Sequence, residues 1–401
     1  MQITDPNLGR SFMDWNRRKM WPAAAASLVA FTSLLNAADD TQLRNLENRV
    51  NALEQRKGSN GMVNPPARPV VKDGVDLFFQ GDALLWQANQ SGLGYAIKNA
   101  GSTNFVSGGT IENPKGEWSW GFKLALGYNM QHDNWDTILQ WTCFGNTNSH
   151  HRVQAPTGGT VFPSFANNGL VVNDVITPVP LVVASGATTA SAHWSLQLNI
   201  LDLALGREFY VSKWLTLRPH AGLRTAWVRQ KLNCVYDHIQ LGLATGRQLT
   251  VHMHNNYWGM GLRAGLDGNW GLGAGFSIFN ELAASLLLGH FSVHQKEYDT
   301  ATLPNQLRLH LHNHLYAARA IVDMALGLRY ENTFSEDRYG IMLAIAWEQH
   351  LFFSQNQLAR FYTNSWVNAQ GLSVGNGAGA FSIDQGDLNT QGVTFTVRFD
   401  F

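Results

Sequence analysis

The amino-acid sequence predicts an all-β protein: a transmembrane antiparallel up-and-down β-barrel of ten, or at most twelve, strands with a short N-terminal periplasmic helix. Three observations carry that expectation. Apolar and polar residues alternate without a break through WSWGFKLALGYNM, residues 118–130, where strands of soluble proteins average about five or six residues. The gaps between such segments run long, short, long, short along the chain, as in barrels with short periplasmic turns and long external loops. The last residues, QGVTFTVRFDF, alternate again and stop on an aromatic side chain, a sticky edge unless another strand closes on it.

Composition agrees. Charged residues make up 14%, against about 25% in soluble domains, yet mean hydropathy is slightly negative. Low charge without high hydropathy excludes a helical membrane protein and suits strict alternation. Zero net charge and the lack of a basic stripe exclude a nucleic-acid partner. Two cysteines, Cys143 and Cys234, are too few for a disulfide framework or a zinc knuckle; a single bridge between them and two free thiols both stay open.

The first segment, 1–37, reads as a signal peptide. Arg17, Arg18 and Lys19 precede the apolar run MWPAAAASLVAFTSLL, and NAADD supplies small residues for cleavage. A membrane anchor is the alternative, but the run is short of the roughly 20 residues a helical span needs. Over 38–57, Leu43, Leu46, Val50 and Leu53 step by three, four, three, which is a heptad seam for an oligomerisation helix or the apolar face of a surface helix. Two heptads are marginal alone. A Pro/Gly linker follows at 58–74, and the barrel occupies 75–401.

Strands are expected at about 75–88, 118–130, 134–146, 192–206, 213–231, 253–268, 272–293, 315–331, 338–352 and 391–401. Long loops fall at 89–117, 147–191, 232–252, 294–314 and 353–390. The second contains GLVVNDVITPVPLVVAS, where one more hairpin would raise the count to twelve, although Pro178 and Pro180 oppose it. An even count returns both termini to the periplasm.

Two segments resemble a known group. DLFFQGDALLWQANQSGLGYA (76–96) is similar to the opening strand, and WSLQLNILDLALGREFYVSKWLTLRPHAGLRTAW (194–227) to the central hairpin, of Legionella-type and chlamydia-like major outer membrane proteins. The resemblance implies an abundant outer-membrane porin or structural protein, oligomeric and exported to the bacterial outer membrane. Chlamydial relatives are cysteine-rich, and two cysteines depart from that pattern.

Strand phase assigns the lumen. Asp82, Lys123, Arg218, Arg224, Arg263, Glu281, Arg319 and Asp323 are expected to line a pore, since the opposite rows lack charge. Small inward residues such as Gly121, Gly127, Gly222, Gly261 and Gly265 would leave space. The expectation is passive diffusion of small hydrophilic solutes together with a structural role. The alternative is a largely plugged structural or adhesive barrel, because interior width grows with strand number and eight strands leave room only for side chains.

Seven histidines cluster at the external strand ends: His252, His254, His290, His294, His310, His312 and His314. They read as a polar rim, or as a metal or pH-sensing group. Asp237-His238 is the one pair suggestive of rim catalysis, and no catalytic residue, cofactor or metal is assigned. Phe395, Val397, Phe399 and Phe401 form a terminal assembly signal. The partners expected are outer-membrane lipid and lipopolysaccharide, the assembly machinery and further copies of the chain, a trimer being suggested by the heptad seam.

Overall fold

A computed structural model describes residue 71 and residues 74–99, 109–130, 135–166, 186–241, 244–299, 306–335, 337–363, 379–383 and 385–401. The signal segment, the heptad helix and most of the linker lie outside these residues.

Ten strands carry the fold: β1 (Leu77–Gln90), β2 (Trp118–Asn129), β3 (Trp135–Gln154), β4 (Thr189–Arg207), β5 (Leu215–Leu241), β6 (Ala244–Gly273), β7 (Phe276–Asp299), β8 (Gln306–Phe334), β9 (Tyr339–Phe352) and β10 (Leu388–Asp400). Each pairs with its neighbours in sequence, and β10 pairs antiparallel with β1 from Phe78↔Asp400 to Gln90↔Leu388. The sheet therefore closes into a ten-stranded antiparallel barrel. The Phe401 N–H donates to the Leu77 carbonyl at 2.9 Å, so the aromatic ending is the last stitch of that seam.

The candidate for a further barrel hairpin, 169–185, lies outside the described residues. In the described part of that gap, Thr160–Pro163 pairs with Ala96–Asn99, which also pairs with Thr110–Glu112, in a small separate sheet. Another two-stranded piece joins Ala359–Thr363 to Gly379–Ile383.

Two loop expectations are corrected. Segments 232–252 and 294–314 are largely strand: β5 and β6 stay paired from Trp270↔Leu215 up to Ala244↔Leu241, and β7 and β8 up to Asp299↔Gln306. These arms were hidden because the alternation changes phase. In β4, Leu201, Leu203 and Leu205 face outward and are 38–43% exposed, while Trp194, Leu196, Leu198 and Ile200 face inward and are at most 4% exposed. The apolar row crosses from one face to the other between Ile200 and Leu201. The same inversion occurs in β8, where outward Met324, Leu326 and Leu328 give way to outward His310, His312 and His314 over inward Leu309, Leu311 and Leu315.

The inversion separates two environments. Toward the short-turn end, the outer surface is a band of exposed apolar side chains, with Trp120 at 67%, Leu262 at 70% and Leu288 at 71%. So large an apolar surface belongs in lipid. The run from Trp118 to Tyr128, at about 3.3 Å per residue and a tilt near 40°, rises about 25 Å, the height of a membrane band. Rings cluster at its margins: Trp118 with Trp347 at one, and Phe276 with Tyr330 and Phe334 with Tyr339 at the other. Toward the long-loop end the outer face is polar and the inner face is a hydrophobic core.

Candidate functional site: a closed lumen

Inside the membrane band the inward rows meet in a layer of ion pairs. Lys123 on β2 donates from Nζ to Glu348 Oε2 on β9 at 2.5 Å. His350, two residues on, contacts Glu348 at 3.3 Å through Nε2 and Asp323 on β8 at 2.8 Å through Nδ1. Arg224 on β5 reaches Asp323 at 2.7 Å and forks onto Asp202 on β4 with two bonds of 2.7 Å. Arg263 on β6 lies 3.5 Å from Asp323. Strands β2 and β9 are not neighbours, nor are β5 and β8, so these contacts cross the lumen. Arg224 keeps 3% of its side chain exposed, and Lys123 9%.

A second set lies closer to the short-turn end. Arg218 binds Asp136 and reaches Asp267 at 2.8 Å, while His220 sits 3.3 Å from Asp267 and accepts a hydrogen bond from Arg263 at 3.0 Å through Nε2. Buried charges persist only when paired and hydrogen-bonded, and this arrangement meets that condition with carboxylates alternating between cations.

The eight residues expected to line a pore all face inward, and most meet. Lys123, Arg224, Arg263, Glu281 and Asp323 border one pocket of about 500 Å³ of non-atom space, part of it open solvent, together with Trp86 and His350. Asp82 pairs in register with Lys123, and Arg218 belongs to the second set. Glu281 is exposed within the lumen. Arg319 is the exception: its guanidinium lies over the Phe291 ring at 4.9 Å, on the core side of the layer.

The glycines expected to leave space are corrected too. A Cβ at Gly127 would fall 1.9 Å from the Phe78 ring, and one at Gly265 would fall 2.5 Å from the His220 ring. They are notches into which neighbouring rings fit.

Beyond the ion pairs the lumen is filled. Trp86, Phe144, Trp194, Tyr236, Phe291 and Phe352 are each at most 2% exposed and belong to one cluster. Its indole donors are matched: Trp86 Nε1 donates to Thr394 at 3.1 Å, and Trp194 Nε1 to Gln230 at 3.2 Å. Loop residues cap it, with the Tyr236 hydroxyl donating to the Tyr95 carbonyl at 2.7 Å and Gln295 to the Phe165 carbonyl at 3.1 Å. Reading the inward face as polar throughout missed this core. The signal was present in LQLNILDLAL, where two successive apolar residues break the alternation.

Both cysteines are free. Cys234 faces the core and burial pushes its thiol up to about 12, whereas Cys143 belongs to the outward row. The histidines of β8 point outward, because β7 and β8 keep register without a bulge from Phe276 to Glu297. Among the described residues no three His, Cys, Asp or Glu side chains converge as a metal centre. At the rim, Asp237 is held by Thr189 at 3.0 Å and Gln248 at 2.5 Å.

A family model described as the Legionella pneumophila major outer membrane protein precursor matches residues 68–401. No curated protein matches. Among solved structures, the outer-membrane protease OmpT of Escherichia coli aligns with 11% identity and a TM-score of 0.38, over 84% of this chain and 99% of its own. The Pseudomonas putida toluene transporter TodX aligns with 10% identity and a TM-score of 0.31, over 84% and 92%. A Pseudomonas aeruginosa FadL homologue gives 8% and 0.22, over 81% and 89%. Likenesses this weak carry no argument about activity.

Proposed function

Because the chain belongs to the Legionella pneumophila major outer membrane protein family, we propose that it is an integral outer-membrane barrel with a structural, barrier role, its lumen closed at rest. The observation that carries this is the packed core behind the ion pairs: Trp86, Trp194, Tyr236 and Phe291 occupy the space that an aqueous channel would need. Ten strands give an interior only slightly wider than the eight-stranded case that side chains fill completely. The long-loop end faces the exterior and both chain ends face the periplasm, by the asymmetry of the connections.

A second reading, porin-like diffusion of small hydrophilic solutes through an opened state, is favoured by one observation. The small pocket bordered by Lys123, Arg224, Glu281 and Asp323 is lined by charged side chains, as the wall of a path for hydrophilic solutes would be. Planar-bilayer recordings of the folded protein separate the two. Closed barrels give no stable unitary steps at moderate voltage. Regular steps that change with Arg224→Glu would overturn the closed reading and establish the second.

A further inference from the structure

The outward polar face just beyond the lipid band has an uneven charge. Across β5, β6, β7 and β8, Lys231 pairs in register with His254, and His294 pairs with His312. A Cβ on Gly261 would meet the Leu286 carbonyl and the Leu287 Cα, and one on Gly289 the Trp258 carbonyl, so the β6–β7 ladder sets His254 beside His294 and the four in one transverse row. Three strand spacings make that row roughly 14 Å wide. On the next row toward the rim, Lys296 pairs with His310, and on the row beneath, Ser292 pairs with His314. The rings are close: His294 to His312 is 4.5 Å, His310 to His312 is 4.1 Å and His290 to His314 is 5.5 Å.

Carboxylates are nearly absent from this face. Among the described outward residues of these arms Asp237 alone is acidic, and Thr189 and Gln248 already hold it. Glu297 and Asp299 are buried, Glu297 against Arg308 at 3.3 Å. Arg229 faces Asn256 on the side nearest the lipid, and His252 packs against Tyr298. Directly below stand the outward lipid-band residues Trp258, Leu288 and Tyr316, the last 86% exposed. A cationic and imidazole surface without counter-charges is therefore built at the height of the outer-leaflet headgroups.

We propose that this face, from Lys231 through His254, His294 and Lys296 to His312 and His310, binds the phosphate groups of an anionic glycolipid headgroup in the outer leaflet. The inference rests on the outward orientation given above to the long-loop end. Phosphate monoesters carry about −1.5 to −2 charges near neutrality and accept several hydrogen bonds at once. Lys231 and Lys296 supply fixed charge. The histidines add charge as pH falls; removal from water first, and then the neighbouring histidines and Lys296, hold His294 and His310 below the ordinary histidine range, and an anion among them offsets that repulsion. Lysines held at a membrane surface attract anionic lipid, and each histidine of the face adds to that attraction once it is protonated.

The test uses the full chain folded in zwitterionic micelles and titrated with diphosphoryl lipid A at pH 6 and pH 8. Binding should be several-fold tighter at pH 6. The H254Q/H294Q/H310Q/H312Q variant should bind about ten-fold more weakly and lose the pH dependence. Dephosphorylated lipid A should bind no better to the native protein than to the variant. Equal binding by the variant, or equal binding of dephosphorylated lipid, overturns the proposal. So does competition by millimolar inorganic phosphate with the affinity of the lipid, which would mark a free-phosphate site, or loss of binding on adding a chelator, which would mark a metal bridge. Conductance is read on a separate sample, so an open lumen leaves this result interpretable.

Discussion

Arg224 shows what a single side chain does in this lumen. It bridges carboxylates on β4 and β8 while almost wholly removed from water, so losing it leaves Asp202 with Arg263 at 4.0 Å and Asp323 with Arg263 at 3.5 Å and His350 at 2.8 Å to balance them. Removing one member of such a buried set costs about 3–5 kcal/mol. Arg224→Ala is therefore expected to lower unfolding stability by about that amount in urea titrations of the barrel in vesicles. Arg319→Ala, which removes a contact with the Phe291 ring and a hydrogen bond to the Ala318 carbonyl, should cost about 1 kcal/mol. Gly265 gives a sharper test of a filled interior. Its added methyl would meet the His220 ring as well as the Leu282 carbonyl, so Gly265→Ala should destabilise by about 1–3 kcal/mol through overpacking, and by less in a His220→Ala background where the ring no longer fills that space. Strand phase made the inward direction of all eight lumenal residues legible in the sequence. Their partners were not, because Lys123–Glu348 and Arg224–Asp323 depend on barrel closure and strand stagger, which no local pattern encodes.

The strands carry two messages in one chain. Their existence and order were legible, since period-two alternation over 118–130 and 192–206 fixes both, and the short turns followed from the gaps. The length of β5 to β8 was not, because the alternation continues with its phase reversed and a lipid-facing template stops matching in β8 at His314. That reversal predicts opposite responses to the same substitution. Leu262→Arg on outward β6 should cost about 2–4 kcal/mol in vesicle folding titrations, while His254→Arg, eight residues away on the same face, should cost almost nothing. The arms should also respond to acid. Burial first, and then neighbouring cations and histidines, hold His254, His294 and His310 below the usual histidine value, so the folded arms bind protons less readily than the unfolded chain. Their contribution is complete above about pH 6.5 and is lost as pH falls below it. Hydrogen-exchange protection over 250–256 and 306–314 in zwitterionic lipid, corrected for the slower intrinsic exchange in acid, should fall between pH 7.5 and 5.5, and phosphorylated lipid A should suppress the change.

At the scale of the molecule, closure decides whether any of these local arrangements exist. An open ten-stranded sheet would leave two unpaired edges, which the hydrocarbon region does not tolerate, and would separate Lys123 from Glu348. The seam runs through β10, a central strand hydrogen-bonded on one side to β1 and on the other to β9. Val397 stands opposite Gly81 in the first ladder and Leu343 in the second. A proline there removes the backbone donor and disrupts the ladder on whichever side that donor served. Val397→Pro should therefore prevent closure altogether, read as loss of the compact, heat-sensitive band on unheated gels and of the β-sheet circular dichroism signal in vesicles. Phe381→Pro supplies the control, because Phe381 belongs to the separate two-stranded piece and pairs with Phe361 outside the barrel. That variant should close normally. If both proteins close, the terminal strand is dispensable and the ion pairs across the lumen must be held by some other seam. If only Phe381→Pro closes, the alternating tail QGVTFTVRFDF is the segment that turns a sticky edge into a sealed wall.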